Sequence, residues 1–210
     1  IALKAANYSD KEIAVAGSVS TSGSWDKLSE EEIKPGFNEH LKILKEAGVD
    51  LIILEAMTSK DRTVENIIEC SKNVKLPIWL SISCAINEDE NILMHGYQES
   101  ITNSKAKFYD TLENSLSKFS KMHDGPILVA HSDIKVTGEA VKILKQIHKG
   151  IVGAYPNNGY FEKPHWKLIN DISPSKYLEE AKNWVSNGAQ IIGGCCGVGP
   201  DKINAISVLK

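Results

Sequence analysis

DLIILEAM, residues 50–57, sets four consecutive aliphatic side chains before a carboxylate at Glu55. A run this short and this apolar reads as a strand buried on both faces, as in a parallel sheet covered by helices. Five further runs repeat the theme: IAVAGSVS at 13–20, PIWLSIS at 77–83, PILVAHS at 126–132, IVGAYP at 151–156 and QIIGG at 190–194. Between them, Phe37, Leu41 and Leu44 recur at helical spacing, as do Phe108, Leu112, Leu116 and Phe119, so these segments carry an apolar stripe to lay on a sheet. Helix starts are marked by the capping-box pair Ser29 and Glu32, and by Ser173-Pro174 and Gly199-Pro200, where proline suits a first turn. The alternation predicts an α/β fold, either a doubly wound open sheet or a (β/α)8 TIM barrel. In both, ligands bind at the carboxyl ends of the strands.

Reactive and polar residues gather at those ends: Ser18 and Ser20, Glu55, Ser83 and Cys84, His131 and Ser132, Asn157 and Asn158, and Cys195 with Cys196. No dinucleotide-binding glycine fingerprint or phosphate-binding loop occurs. The polar stretch 85–104 is too long for an ordinary connection and is expected to be an active-site loop or a mobile insertion.

Composition narrows the field further. A chain of 210 residues with 42% hydrophobic content can bury one sizeable core, so residues 1–210 are expected to form a single domain. The net charge of -3, with no basic run interleaved with aromatics, excludes nucleic acid as the expected partner. No apolar stretch approaches a membrane span and the first residues lack the features of a signal peptide. A soluble, cytoplasmic protein with no membrane partner is expected. Its four cysteines do not form the framework of a small secreted domain and are expected to be reduced.

IIGGCCGVGP, residues 191–200, poses a narrower question: Cys195 and Cys196 either hold a metal, form a disulfide, or fill space. Neighbouring side chains on a regular strand face opposite ways, so one ion can take both thiols only if the backbone leaves strand geometry. Gly193, Gly194 and Gly197 permit that. Zinc prefers thiolate and imidazole ligands and, in catalytic sites, keeps one position open. A vicinal disulfide is strained, whereas free cysteine often packs as a small hydrophobe.

GAQIIGGCCGVGPDKINAI, residues 188–206, resembles the closing motif of the homocysteine S-methyltransferase family, the zinc-dependent barrels that include betaine–homocysteine and S-methylmethionine–homocysteine methyltransferases. VAGSVS at 15–20 is similar to the family's third strand, AGVDLIILEAMTS at 47–59 to its fourth, and VGAYPNNGYF at 152–161 to its seventh strand and following loop. The resemblance spans essentially the whole chain. It implies a (β/α)8 TIM barrel with about six of the eight βα units, beginning inside the second helix and so N-terminally incomplete.

The resemblance further implies Zn2+ as cofactor and a methyltransferase of the EC 2.1.1 class. Its methyl group would come from a sulfonium or quaternary ammonium donor and pass to the thiol of homocysteine, giving methionine. The family usually carries Asn-Cys-Ser/Thr at the sixth strand, its cysteine being the third zinc ligand. Here the chain reads Ala130-His131-Ser132. The implied metal set is therefore His131, Cys195 and Cys196, with no catalytic residue beyond it. A histidine at a strand end also reads as a hydrogen-bonding residue, and that alternative stays open. Glu55 is expected at the amino group of the amino-acid substrate, Asn157 at the substrate or at the ligands' backbone, and Ser18 as a weaker substrate contact. Trp79 and Trp184 are expected in the core; Trp25, Tyr160 and Trp166 lie near loops and could face a cationic donor. Cys70 and Cys84 are left out of the metal set. The alternatives are a relative using another thiol or donor, or an inactive barrel fragment. The partners are small molecules, and a homo-oligomer is left open.

Overall fold

A computed structural model describes residues 1–20, 28–58, 61–95, 100–102, 107–162, 165–167 and 171–209. The chain opens with α1 (Ala2–Asn7), β1 (Ala16–Ser20), α2 (Glu30–Glu46), β2 (Leu51–Met57), α3 (Asp61–Ser71) and β3 (Ile78–Ile82). Three short strands follow, β4 (Cys84–Asn87), β5 (Ile92–Met94) and β6 (Ser100–Ile101). Next come α4 (Leu112–Met122), β7 (Ile127–Asp133), α5 (Ile134–Ile147) and β8 (Val152–Asn157). The hairpin β9 (Tyr160–Glu162) and β10 (His165–Lys167) leads to α6 (Pro174–Ser186), β11 (Ile191–Ile192) and α7 (Pro200–Ile206).

All six apolar runs are strands of one parallel sheet in the order β1-β2-β3-β7-β8-β11. Each new strand joins the side its predecessor left free, so the winding never reverses. A doubly wound sheet needs such a reversal; the wall of a (β/α)8 barrel does not. The fold is the barrel alternative, with six βα units. No described helix is long and apolar enough to cross a membrane.

Local chemistry sets the helix boundaries. Glu32 Oε2 accepts from the Ser29 backbone at 2.8 Å and completes the capping box of α2. Ser173 Oγ caps α6 by accepting from Lys176 N, with Pro174 in the first turn. The stripe expected from Phe108 to Phe119 is shortened. Thr111 accepts from Asn114 N, and Asp110 accepts from both Thr111 N and the Asn114 amide, so α4 starts at Leu112 and leaves Phe108 outside it, 72% exposed. The described residues of the stretch 85–104 contribute to a small sheet in the order β5-β4-β6.

The core lies between the sheet and its helices. Val19, Ile52, Leu54, Leu80, Ile82 and Val129 meet Phe37, Leu41, Ile67, Leu116, Phe119 and Leu144 in one cluster. Trp184 is fully buried there, edge-on to Tyr177 at 5.4 Å. Trp79 is only half-buried, because it pairs with Ile53 on the opposite face. Register assigns that face: Ser18 pairs with Ile53, Ser20 with Glu55, Ser81 with Leu128 and Ala130 with Tyr155. Partners in a parallel pair share a face, so these residues form the interior lining.

Two stability predictions follow from close packing and burial. A Cβ at Gly153 would stand 2.7 Å from the Ile191 carbonyl oxygen and 2.7 Å from Leu128, which forces β11 away from β8. Gly153→Ala should cost about 1–3 kcal/mol by overpacking, read as a lower urea midpoint. His123 and His148 are both buried, and burial lowers both pKa values despite their bonds to the Pro126 and Gly125 carbonyls. A depressed histidine stabilises the fold above its unfolded value of about 6.5 and loses that contribution as pH falls through the folded value. The melting temperature should therefore drop below about pH 6.5, and His148→Gln should make that acid limb shallower.

Candidate metal centre

Two strand irregularities aim the principal side chains. β2 slips register against β3 between Leu54 and Met57, and β7 slips against β8 between Ala130 and Asp133. Ala56 and His131 each sit at φ 52° within these slips, a left-handed backbone that costs a non-glycine residue about 1–3 kcal/mol. Such bulges redirect side chains at the rims of barrels. Here they bring Glu55 of β2 and His131 of β7 together across β3.

Glu55 Oε1 faces three polar side chains: His131 Nε2 at 2.5 Å, the Tyr155 hydroxyl at 2.6 Å and the Ser81 hydroxyl at 3.2 Å. Burial alone would raise the Glu55 pKa, but the bonds from His131, Tyr155 and Ser81 outweigh it and hold the carboxyl below its ordinary value. Burial, then the Glu55 charge, raises the Tyr155 hydroxyl far above its ordinary value. An ionised carboxylate only accepts, so Nε2 is the donor in the His131–Glu55 bond. The Tyr155 ring also stands edge-on to the His131 ring at 5.8 Å.

The other imidazole nitrogen, Nδ1, lies 3.3 Å from Cys195 Sγ. Burial, and then the neighbouring Cys196, push the Cys195 thiol up to about 12. A protonated Cys195 thiol can donate to Nδ1 when that nitrogen carries no proton. Cys196 Sγ stands 3.9 Å from Cys195 Sγ and is exposed. All four cysteines are free. β11 ends at Ile192, so the thiols ride on glycine-rich irregular backbone that relaxes strand alternation, with Gly197 at φ 74°.

That loop is held from several sides. Cys195 N donates to the Pro156 carbonyl at 2.9 Å, and Cys196 O accepts from Asn158 N at 2.8 Å. Asn157 bridges the two halves of the site, accepting from Cys196 N at 3.2 Å and donating to the His131 carbonyl at 3.0 Å. Asn158 donates its amide to the Gly197 carbonyl and to Asp171, which also pairs with buried Lys202 at 3.0 Å.

Two thiols and an imidazole form a soft donor set suited to zinc. Neighbouring ligands on a tetrahedral ion with bonds of about 2.0–2.3 Å stand roughly 3.4–3.8 Å apart. The His131–Cys195 and Cys195–Cys196 separations of 3.3 and 3.9 Å match those two edges. Among the described residues no group of three or more His, Cys, Asp or Glu is already convergent on a point that would hold a metal. The donors fit zinc in identity and in these two separations.

The remaining expected residues separate clearly. Ser18 is exposed, one same-face step before Ser20, and it is Ser20 that pairs in register with Glu55. Asn157 is buried, its amide engaged with backbone. Cys84 is fully buried, its backbone bonded to Ser132 Oγ at 2.9 Å, and Cys70 packs inside α3. Trp25 lies outside the described residues, as do the side chains of Tyr160 and Trp166. Sequence reading passed over Tyr155, Ser81, Asp171 and Lys202. The period-two spacing of Gly153 and Tyr155 on one face was the available signal for Tyr155.

Comparison with known proteins gives a consistent result. The family model described as "Homocysteine S-methyltransferase" matches residues 1–209. A maize protein named Homocysteine S-methyltransferase 3 is 29% identical over 198 residues, covering 88% of this chain and 52% of the relative. A Selenocysteine methyltransferase from Astragalus bisulcatus is 22% identical over 213 residues, covering 92% of this chain and 58% of the relative. The chain thus spans about half the length of the curated relatives it matches. Among solved structures, the metallated form of the Escherichia coli homocysteine methyltransferase MmuM aligns with a TM-score of 0.69 at 19% identity. That alignment covers 100% of this chain and 65% of MmuM, a likeness of fold.

The thiol environments predict an order of reactivity in metal-free protein. Iodoacetamide at pH 8 should modify exposed Cys196 first. A thiol with a value near 12 is on the order of one part in 10⁴ thiolate at that pH, so Cys195 should follow much more slowly, and Cys70 and Cys84 only on unfolding. Peptide mass mapping over time reads the order; modification of Cys195 as fast as Cys196 would contradict the buried, protonated thiol.

Proposed function

The chain belongs to the homocysteine S-methyltransferase family, and on that premise we propose that it serves a zinc-dependent methyl transfer. The donor is a sulfonium or quaternary ammonium compound, the acceptor is the thiol of homocysteine, and the product is methionine. Residues 1–210 are read as one barrel domain, in the reducing cytoplasm that suits two adjacent free thiols. The observation that supports the reading best is His131 Nδ1 at 3.3 Å from Cys195 Sγ, itself 3.9 Å from Cys196 Sγ, on the carboxyl rim of a singly wound parallel sheet.

His131, Cys195 and Cys196 would hold the zinc. When bound, zinc supplies Lewis acidity that favours the thiolate form of a substrate whose thiol ordinarily titrates near 8.5. An imidazole in place of a third thiolate removes one negative charge from the donor set. Asn157 keeps the His131 and Cys196 backbones at a fixed separation. Glu55 Oε2 has no partner among the described residues and is oriented by the three bonds on Oε1, which suits it to accept the ammonium of an amino-acid acceptor. The donor's positive charge is lost on transfer, so the reaction needs no group to stabilise a leaving anion.

The plant Selenocysteine methyltransferase among the relatives favours selenocysteine as a second acceptor to be assayed beside homocysteine. Zinc analysis of the purified chain tests the reading. About one zinc per chain is expected, with clear loss in His131→Ala and Cys195→Ala, and homocysteine should be methylated from S-methylmethionine only by the zinc-loaded wild type. Little zinc in the wild type and no methylation of either acceptor would overturn it.

A further inference from the structure

The proposed metal set accounts for three residues but leaves unexplained why the half-buried Glu55 turns one oxygen to three donors beside it. Metal-binding histidines ordinarily give their second ring N–H to a carboxylate, a carbonyl or water, which fixes the tautomer and turns the lone pair to the metal. Here Glu55 Oε1 stands 2.5 Å from His131 Nε2, while Nδ1 on the far side of the ring stands 3.3 Å from Cys195 Sγ. The carboxylate is itself held by the Tyr155 and Ser81 hydroxyls. The ring is further confined by the Tyr155 edge at 5.8 Å and by the Asn157 bond to the His131 carbonyl.

We infer that Glu55 is a positioning residue for the metal centre: its Oε1 accepts from His131 Nε2–H and thereby presents the Nδ1 lone pair to the Cys195–Cys196 pair. This rests on the zinc reading above and adds a residue to it. The same side chain was expected to serve only the substrate's amino group, and that role is kept by Oε2. Tyr155 and Ser81 act one step further out, by keeping Oε1 turned to the ring. The assignment also explains how histidine serves where the family usually has cysteine. An imidazole offers two coordinating nitrogens, and the neighbouring carboxylate selects one of them.

The test uses protein labelled with nitrogen-15 in histidine, read first without metal and then loaded with cadmium-113 ion. Wild-type protein should show His131 protonated at Nε2, with that proton protected from exchange with water, and an unprotonated Nδ1. Cadmium should then show its scalar coupling on Nδ1. In Glu55→Leu the Nε2 proton should lose its protection and metal affinity should fall about 10–100-fold. Tyr155→Phe should give a smaller loss in the same direction. A proton on Nδ1, cadmium coupling on Nε2, or unchanged affinity in folded Glu55→Leu would overturn the inference. Should the wild type take up no metal, the zinc reading falls by itself. The role toward a metal then falls with it, and the metal-free spectrum still decides the underlying contact: an Nε2–H···Glu55 bond supports Glu55 as the group that orients the His131 ring, and an Nδ1 proton ends that too.

Discussion

A carboxylate turned into the mouth of a parallel sheet must find donors or give up its charge, and Glu55 finds three on a single oxygen. Ser81 belongs to β3, His131 to β7 and Tyr155 to β8, so one acceptor ties together the carboxyl ends of four strands. Each bond is individually modest, but removing any one leaves a partly buried polar atom without its match. The carboxylate thus acts as a geometric anchor. It is ionised because its neighbours donate, and they are oriented because it is ionised.

The two-cysteine loop is secured by different means. Asn157 and Asn158 bind it through backbone groups, and the Asp171–Lys202 pair braces Asn158 from behind. The imidazole side of the site is therefore set by side-chain electrostatics and the thiol side by main-chain bonds. Asn157 joins the two, since it bonds to His131 and to Cys196. The left-handed backbone at Ala56 and His131 is strain that these bonds hold in place.

Much of this was legible in the sequence because burial writes itself into local pattern. The six strands follow from aliphatic runs, and the helix starts at Glu30 and Pro174 follow from Ser29, Glu32, Ser173 and Pro174. The barrel alternative over the doubly wound one rested on the resemblance, since periodicity does not encode the direction of winding. Phe108 fitted a helical stripe by spacing, yet the Asp110–Thr111 cap decided where the helix begins. The partnership of Glu55 with His131 was not readable. It joins residues 76 positions apart in sequence and depends on two register slips, which no spacing rule announces. Tyr155 was missed for the same reason: its hydroxyl matters only once β2 and β8 face a common interior.

If Glu55 Oε2, which has no partner among the described residues, takes the ammonium proposed above, the site acquires a thermodynamic linkage. A cation taken at Oε2 and an ion taken at His131 Nδ1 draw on one carboxylate from opposite ends. Whatever the first does to the affinity of the second, the second does in equal measure to the first. An acceptor carrying an ammonium group and one lacking it would then meet metal centres of different strength, although neither touches His131. Acceptor discrimination in such a barrel need not come from a shaped pocket; it can be transmitted through the electron demand on a single side chain.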